Sequence, residues 1–143
     1  MWEILRKLLR AGPPRNDREL GRAGERHAAS LLKRAGYRII ERNVRVAAGE
    51  ADIVCVDPDG VTIVMVEVKT RRQGTAGSAQ GAGVAPEASV HAHKRKKLLA
   101  VMRSLSKANG WDGRPVRIDT IAVEWQEGGA GPIVRHHVNA VSG

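Results

Sequence analysis

From Val61 to Thr70 the chain reads Val-Thr-Ile-Val-Met-Val-Glu-Val-Lys-Thr. Side chains alternate faces along a strand, and here both faces are apolar until Glu67. A strand that is apolar on both faces is covered on both, as in α/β sheets. The run therefore predicts a central strand with a helix above and below it. It also predicts that Glu67 and Lys69 project from one face at the end of that strand.

The neighbouring sequence supplies the rest of such a domain. Asn16 or Asp17 can cap a helix starting near Arg18. Leu20, Ala23, His27, Leu31 and Ala35 recur at helical steps, and Gly36 is a stop signal. Gly21, Gly24 and Ala28 cluster on its surface, where another backbone can approach closely. Strands are expected over Tyr37 to Val46, with Asn43 weakening its middle, and over Glu50 to Val56. Asp57-Pro58-Asp59-Gly60 has the pattern of a type I turn leading into the central strand. A second helix is expected from about His91 to Ala108, then a strand from Val116 to Trp125 and a short last strand from Ile133 to Val138. The order is helix, antiparallel three-strand meander, crossover helix, parallel strand, short last strand. Residues 1–15 read as a flexible extension, and residues 16–143 as one domain with a Gly-rich loop over 71–90.

Composition narrows the partners. Lys and Arg number 24 against 15 Asp and Glu, a net charge of +9 in 143 residues. That balance favours a polyanion, either nucleic acid or an anionic surface. With no Phe and one Tyr, reading of single-stranded RNA on aromatic platforms loses ground. Contact made mainly to phosphates gains it. The lone Cys55 excludes an internal disulfide and reads as a buried thiol. No apolar run is long enough for a membrane span, and Met1 to Arg10 lacks a signal-peptide core. A cytoplasmic protein with no membrane partner is expected.

The chemistry concentrates where two strands meet. Glu50 and Asp52 share one face, as do Glu67 and Lys69. If the turn is the four residues Asp57 to Gly60, Val56 lies opposite Val61 and Asp52 faces Met65. Asp52 is then the diagonal neighbour of Glu67, with Cβ atoms about 7–8 Å apart. Two carboxylates so placed can share Mg²⁺ or Mn²⁺, whose ligands are hard oxygens. A one-residue slip would put Asp52 on the wrong face. Unpaired, Glu50, Asp52 and Glu67 would repel one another, and a cation or Lys69 resolves the conflict. Such a metal activates water and steadies charge on a phosphate, and Lys69 can handle the water or the phosphate. The plainer reading of Glu67 and Lys69 is a solvated strand end.

Taken with Gly24-Glu25, Asn43, Gly49-Glu50-Ala51-Asp52-Ile53-Val54, Val66-Glu67-Val68-Lys69-Thr70-Arg71, Lys94, Arg117-Ile118-Asp119 and His137-Val138-Asn139-Ala140, the chain resembles the YraN-like family of bacterial proteins. The likeness runs from about Leu20 to Val141. That family is similar in pattern to Holliday-junction resolvases and restriction endonucleases of the PD-(D/E)XK superfamily. The resemblance implies a restriction-endonuclease-like core, with metal at Asp52 and Glu67 and the Val68 carbonyl as a third ligand. It implies Lys69 as catalytic lysine, with accessory roles for Glu25 and Glu50. Ala51 and Met65 depart from the usual Ile and Phe.

Other residues carry two readings each. Glu25 reaches the site if the first helix packs beside the hairpin, and is otherwise an exposed carboxylate. Arg71 and Arg72 either grip a phosphate or lie on a solvated strand exit. His93-Lys94-Arg95-Lys96-Lys97 opens the second helix, where basic charge opposes the helix dipole. Phosphate binding by Lys94, Arg95 and Lys97 would account for the mismatch; a solvated face is the alternative. The five His residues lack zinc-site spacing, so no zinc is expected. No phosphate loop is present. The function expected is a Mg²⁺- or Mn²⁺-dependent endonuclease on branched or structured DNA. A non-catalytic nucleic-acid-binding module on the same fold is the alternative. Resolvases of that fold work as symmetric dimers, which makes a homodimer an option, though no dimer surface is legible.

Overall fold

The strands lie in one sheet in sequence order: β1 (Arg38–Val46), β2 (Gly49–Val56), β3 (Ile63–Arg72), β4 (Val116–Trp125) and β5 (Ile133–Val141). Helix α1 (Asp17–Arg34) precedes them and helix α2 (Ala92–Asn109) joins β3 to β4. The computed structural model describes residues 16–73 and 92–141. The expected extension over 1–15 lies outside the described residues; of the loop expected over 71–90, Arg71 and Arg72 instead end β3, paired to β4, and residues 74–90 lie outside the described residues.

Helix α1 begins where the side chain of Asn16 accepts a hydrogen bond from the Glu19 amide at 2.9 Å. Asp17 and Glu19 sit in its first turn and Lys33 and Arg34 in its last, each sign matching its end of the helix dipole. Gly36, at φ 91°, lets the Tyr37 amide donate back to the Leu32 carbonyl at 2.9 Å. That closes the helix and aims the chain into β1.

Strand β3 feeds two apolar layers, as its two-sided sequence predicts. Val64 and Val66 pack with Ile53, Cys55, Ile121 and Val123 under Ala28, Ala29 and Leu32 of α1. Ile63 and Met65 pack with Val54, Val56 and Ile118 under Leu98, Val101, Met102 and Leu105 of α2. Strands β1, β2 and β3 form the antiparallel meander, β3 and β4 run parallel, and β5 returns antiparallel to β4. This is the order expected from the sequence. Among the described residues no helix is long and apolar enough to cross a membrane.

Two further expectations need correction. Val56 pairs with Ile63, not Val61. The Asp57–Gly60 turn does form, with the Gly60 amide donating to the Asp57 carbonyl at 2.9 Å. But Asp59 then accepts from the amides of Val61 and Thr62, each at 2.8 Å, and from the Thr62 hydroxyl. Those bonds keep Val61 and Thr62 in the loop and delay the strand by two residues. An even shift leaves every side chain on its predicted face. The last strand is also longer than expected, reaching Val141.

That extension is held by a buried network. Asp119 is fully buried. It accepts from Arg117 Nε at 2.8 Å, from the Asn139 amide at 2.8 Å, and meets His136 Nε2 at 2.8 Å. Arg117 also reaches Asp57 at 2.9 Å and the Tyr37 hydroxyl at 3.0 Å. The network thus ties β4 to β5, to the β2–β3 loop and to the start of β1. Burial pushes the Asp119 carboxyl upward. The bonds from His136, Arg117 and the Asn139 amide outweigh that and hold it below the usual carboxylate range.

Candidate metal and phosphate site

The regular β2–β3 pairing stops at Ile53 opposite Val66. Continuing that register one step sets Asp52 across from Glu67, nearer than the diagonal placement expected. There the backbone bond is replaced by a side chain: Asp52 Oδ2 accepts the Val68 amide at 2.8 Å. The bond fixes the carboxylate at the mouth between the strands.

Helix α2 closes over this mouth. Gly49, at φ 151°, lies so close that an added Cβ would press on Lys97 and Val101. Glu50, Asp52 and Glu67 from the sheet, with Lys94, Lys97, Leu98 and Val101 from α2, line a hollow of 250 Å³. Lys94 Nζ lies 3.0 Å from Glu67 Oε1. The Asp52 carboxyl is pushed up to about 7, chiefly by burial, with the charges of Glu67, Glu25 and Glu50 adding to it. The Val68 amide pulls the other way.

These are hard-oxygen donors under mutual repulsion, the surroundings a divalent cation relieves. Among the described residues, no three Asp, Glu, His or Cys side chains converge closely enough to hold an ion. Mg²⁺ ordinarily takes only one or two protein carboxylates and fills its shell with water and phosphate oxygen. The Asp52 and Glu67 pair fits that demand; a site built wholly from protein ligands would not fit.

The other sequence candidates divide. Glu25 comes near: Gly24 beside it packs so tightly on the Thr70 side chain of β3 that a Cβ there would overlap it. Glu25 is half-buried, and its charge is felt at Asp52. Val68 contributes its amide to Asp52. Lys69 is half-buried two positions beyond Glu67 and pairs with Ala122 of β4, but it does not line the hollow. Arg71 and Arg72 are the half-buried last two residues of β3, opposite Glu124 and Trp125, and do not line the hollow. Lys94 and Lys97 reach the hollow, whereas Arg95 is exposed outside it.

Sequence reasoning missed a second group. Arg18, Arg22 and Arg26 of α1 face Arg42, Asn43 and Arg45 of β1 across two hollows beside the first. The four-residue spacing of the three helical arginines was the available signal.

The model of an uncharacterised protein family, UPF0102, matches residues 24–123. A UPF0102 protein of Pseudomonas savastanoi pv. phaseolicola is 40% identical over 122 residues, covering 84% of this chain and 92% of that protein. One from Moorella thermoacetica is 41% identical over 106 residues, covering 74% and 81%. Among solved structures, a repair endonuclease from Pyrococcus abyssi is 22% identical with a TM-score of 0.41, covering 73% of this chain and 40% of that one. EndoMS in its dsDNA2 complex is 21% identical with a TM-score of 0.42, covering 74% and 38%. The chain spans less than half the length of either.

Proposed function

The chain belongs to the uncharacterised family UPF0102, the YraN-like family its motifs resemble, and on that premise we propose that it is a Mg²⁺- or Mn²⁺-dependent nuclease that hydrolyses phosphodiester bonds in branched or otherwise structured DNA. The observation that carries this reading is the meeting of Asp52 and Glu67 across the β2–β3 mouth, in one hollow with Lys94 and Lys97.

In this reading Asp52 and Glu67 hold the ion, and the Val68 carbonyl and Glu50 are within the same stretch to assist. Bound there, the metal would lower the pKa of a water and stabilise charge on the phosphate. The chain's own part is orientation and neutralisation. The Val68 amide keeps Asp52 aimed into the hollow. Lys94 offsets the charge of Glu67, and Lys97 offers a second ammonium to a phosphate oxygen. Lys69 handles the proton of the attacking water or the charge on the phosphate. Glu25 adds negative charge behind Asp52. The same reading has the protein work in the cytoplasm, and a two-fold symmetric substrate would suit a homodimer.

One observation favours a second reading. The Lys94 ammonium already neutralises Glu67 at 3.0 Å, so a nucleic-acid-binding module that never cuts would also be consistent with this hollow. Cleavage separates the two. Purified protein with Mn²⁺ is expected to nick a branched duplex, and Asp52→Ala or Glu67→Ala to abolish nicking. Lys69→Ala is expected to slow it by about 10²–10⁴-fold. Nicking that survives both carboxylate changes would refute the assignment; binding without any nicking would establish the second reading.

A further inference from the structure

Beside the acidic hollow lie two more, of 380 and 400 Å³. The first is lined by Asp17, Arg18, Arg22, Glu25, Asn43 and Arg45 and borders Glu50; the second by Arg22, Arg26 and Arg42 with the same Glu25 and Asn43. Shared walls make them one trough between α1 and the edge strand β1. Glu50 also lines the acidic hollow, so the two adjoin at that residue.

Both walls carry arginines, five in all against the carboxylates of Asp17, Glu25 and Glu50. Arg18, Arg22 and Arg26 recur every fourth residue, about 6 Å apart along the axis, on the exposed side of α1. Arg42 and Arg45 stand exposed on β1. Like charges at this helical spacing destabilise a helix. Among the described residues no ion pair relieves Arg18, Arg22, Arg26 or Arg42. Arg45 has only a loose one, 3.9 Å from Glu50. Charges on an edge strand discourage strand addition, but that role needs no matching row on the helix across the trough. The floor is left open: a Cβ at Gly21 would meet nothing within 4 Å. Guanidinium groups bind phosphate oxygens in pairs. Two rows of them in excess over the carboxylates, flanking an open channel, suit a linear polyanion.

We propose that the trough between α1 and β1 carries the phosphodiester backbone of a nucleic acid strand, gripped by Arg18, Arg22, Arg26, Arg42 and Arg45, and leads it to the acidic hollow. The assignment of that hollow as the cutting site rests on the function proposed above; binding in the trough does not.

The test measures binding of a fluorescent branched DNA to the full chain by anisotropy, in chelator, across a salt series. Removing two phosphate contacts with Arg22→Ala/Arg42→Ala should weaken binding at least tenfold at low salt. It should also flatten the slope of log affinity against log salt by about 2. Arg34→Ala/Lys107→Ala, an equal loss of charge at exposed sites elsewhere, should leave the slope unchanged. Arg22→Lys/Arg42→Lys should keep most of it. Inorganic phosphate at matched ionic strength should compete poorly, because a strand and not a single phosphate fills the trough. A wild-type slope in the Arg22→Ala/Arg42→Ala protein, or an equal loss in the control pair, overturns the trough. Nicking by wild type with such a result would leave the nuclease reading standing. Binding that depends on Arg22 and Arg42 without any nicking would leave the trough standing and remove the nuclease. No DNA binding by wild type overturns both.

Discussion

At Asp52, burial and the charges of Glu67, Glu25 and Glu50 raise the acid to about 7 against the pull of the Val68 amide. Between the unfolded value near 4 and about 7, the folded protein therefore holds a proton that the unfolded chain releases. In chelator, the contribution of Asp52 to stability is expected to be fully present below pH 4, to fall as pH rises to about 7, and to level off above. Asp52→Asn keeps an oxygen for the Val68 amide and removes the charge. Its unfolding free energy from urea titration should exceed that of wild type at pH 8 by about 1–4 kcal/mol, with no difference at pH 4. An equal effect at both pH values would show that the carboxyl is not raised. At Arg117 the sign reverses: Arg117→Ala strands the buried Asp119 without its bidentate partner and should cost about 3–5 kcal/mol in urea unfolding at pH 7. The two sites were not equally legible. Strand alternation with the Asp57–Gly60 turn brought Asp52 and Glu67 together, because they lie within one hairpin. Nothing local links Arg117 to Tyr37, 80 positions away, and only the folded sheet brings them together.

Helix α1 reaches the sheet through a glycine. An added methyl at Gly24 would fall on the Thr70 side chain, and neither a buried helix nor a central strand moves aside freely. Gly24→Ala is expected to destabilise by about 1–3 kcal/mol in denaturant melts, with Thr70→Ala recovering part of it; additive losses would mean the two do not touch. This contact lies beside Glu25, so the same variant should also alter the acidic site. The small-residue face of α1 was visible in the sequence at Gly24, though Gly21, read as part of it, borders the open trough instead. The boundaries of β3 were less visible, because the hydrogen bonds their amides donate to Asp59 hold Val61 and Thr62 out of a strand their composition favours. The β-propensity of Val and Thr describes how they pack on a sheet, and a loop that satisfies their amides locally overrides it.

On the scale of the whole molecule, both faces of β3 are sealed, one by each helix. Cys55 sits at 0% exposure in the α1 layer, its thiol pushed up to about 12 mainly by burial, with Asp119 adding to the shift. It should resist alkylation at pH 8 in native buffer and react only through global opening. Its labelling rate should therefore rise in step with the unfolded fraction in urea. Rapid native labelling would mean that α1 lifts from the sheet on its own. The α/β class and element order could be read from β3 outward, since a strand sealed on both sides requires helices above and below. The arginine trough could not, because it joins two elements that sequence periodicity treats separately. One consequence follows from the anchoring of Asp119 by the Asn139 amide. A nascent chain emerged only as far as β4 has Arg117 on Asp119 but lacks His136 and the Asn139 amide, so the cluster stays incomplete until β5 has left the ribosome. Final closure must wait for translation to deliver that strand.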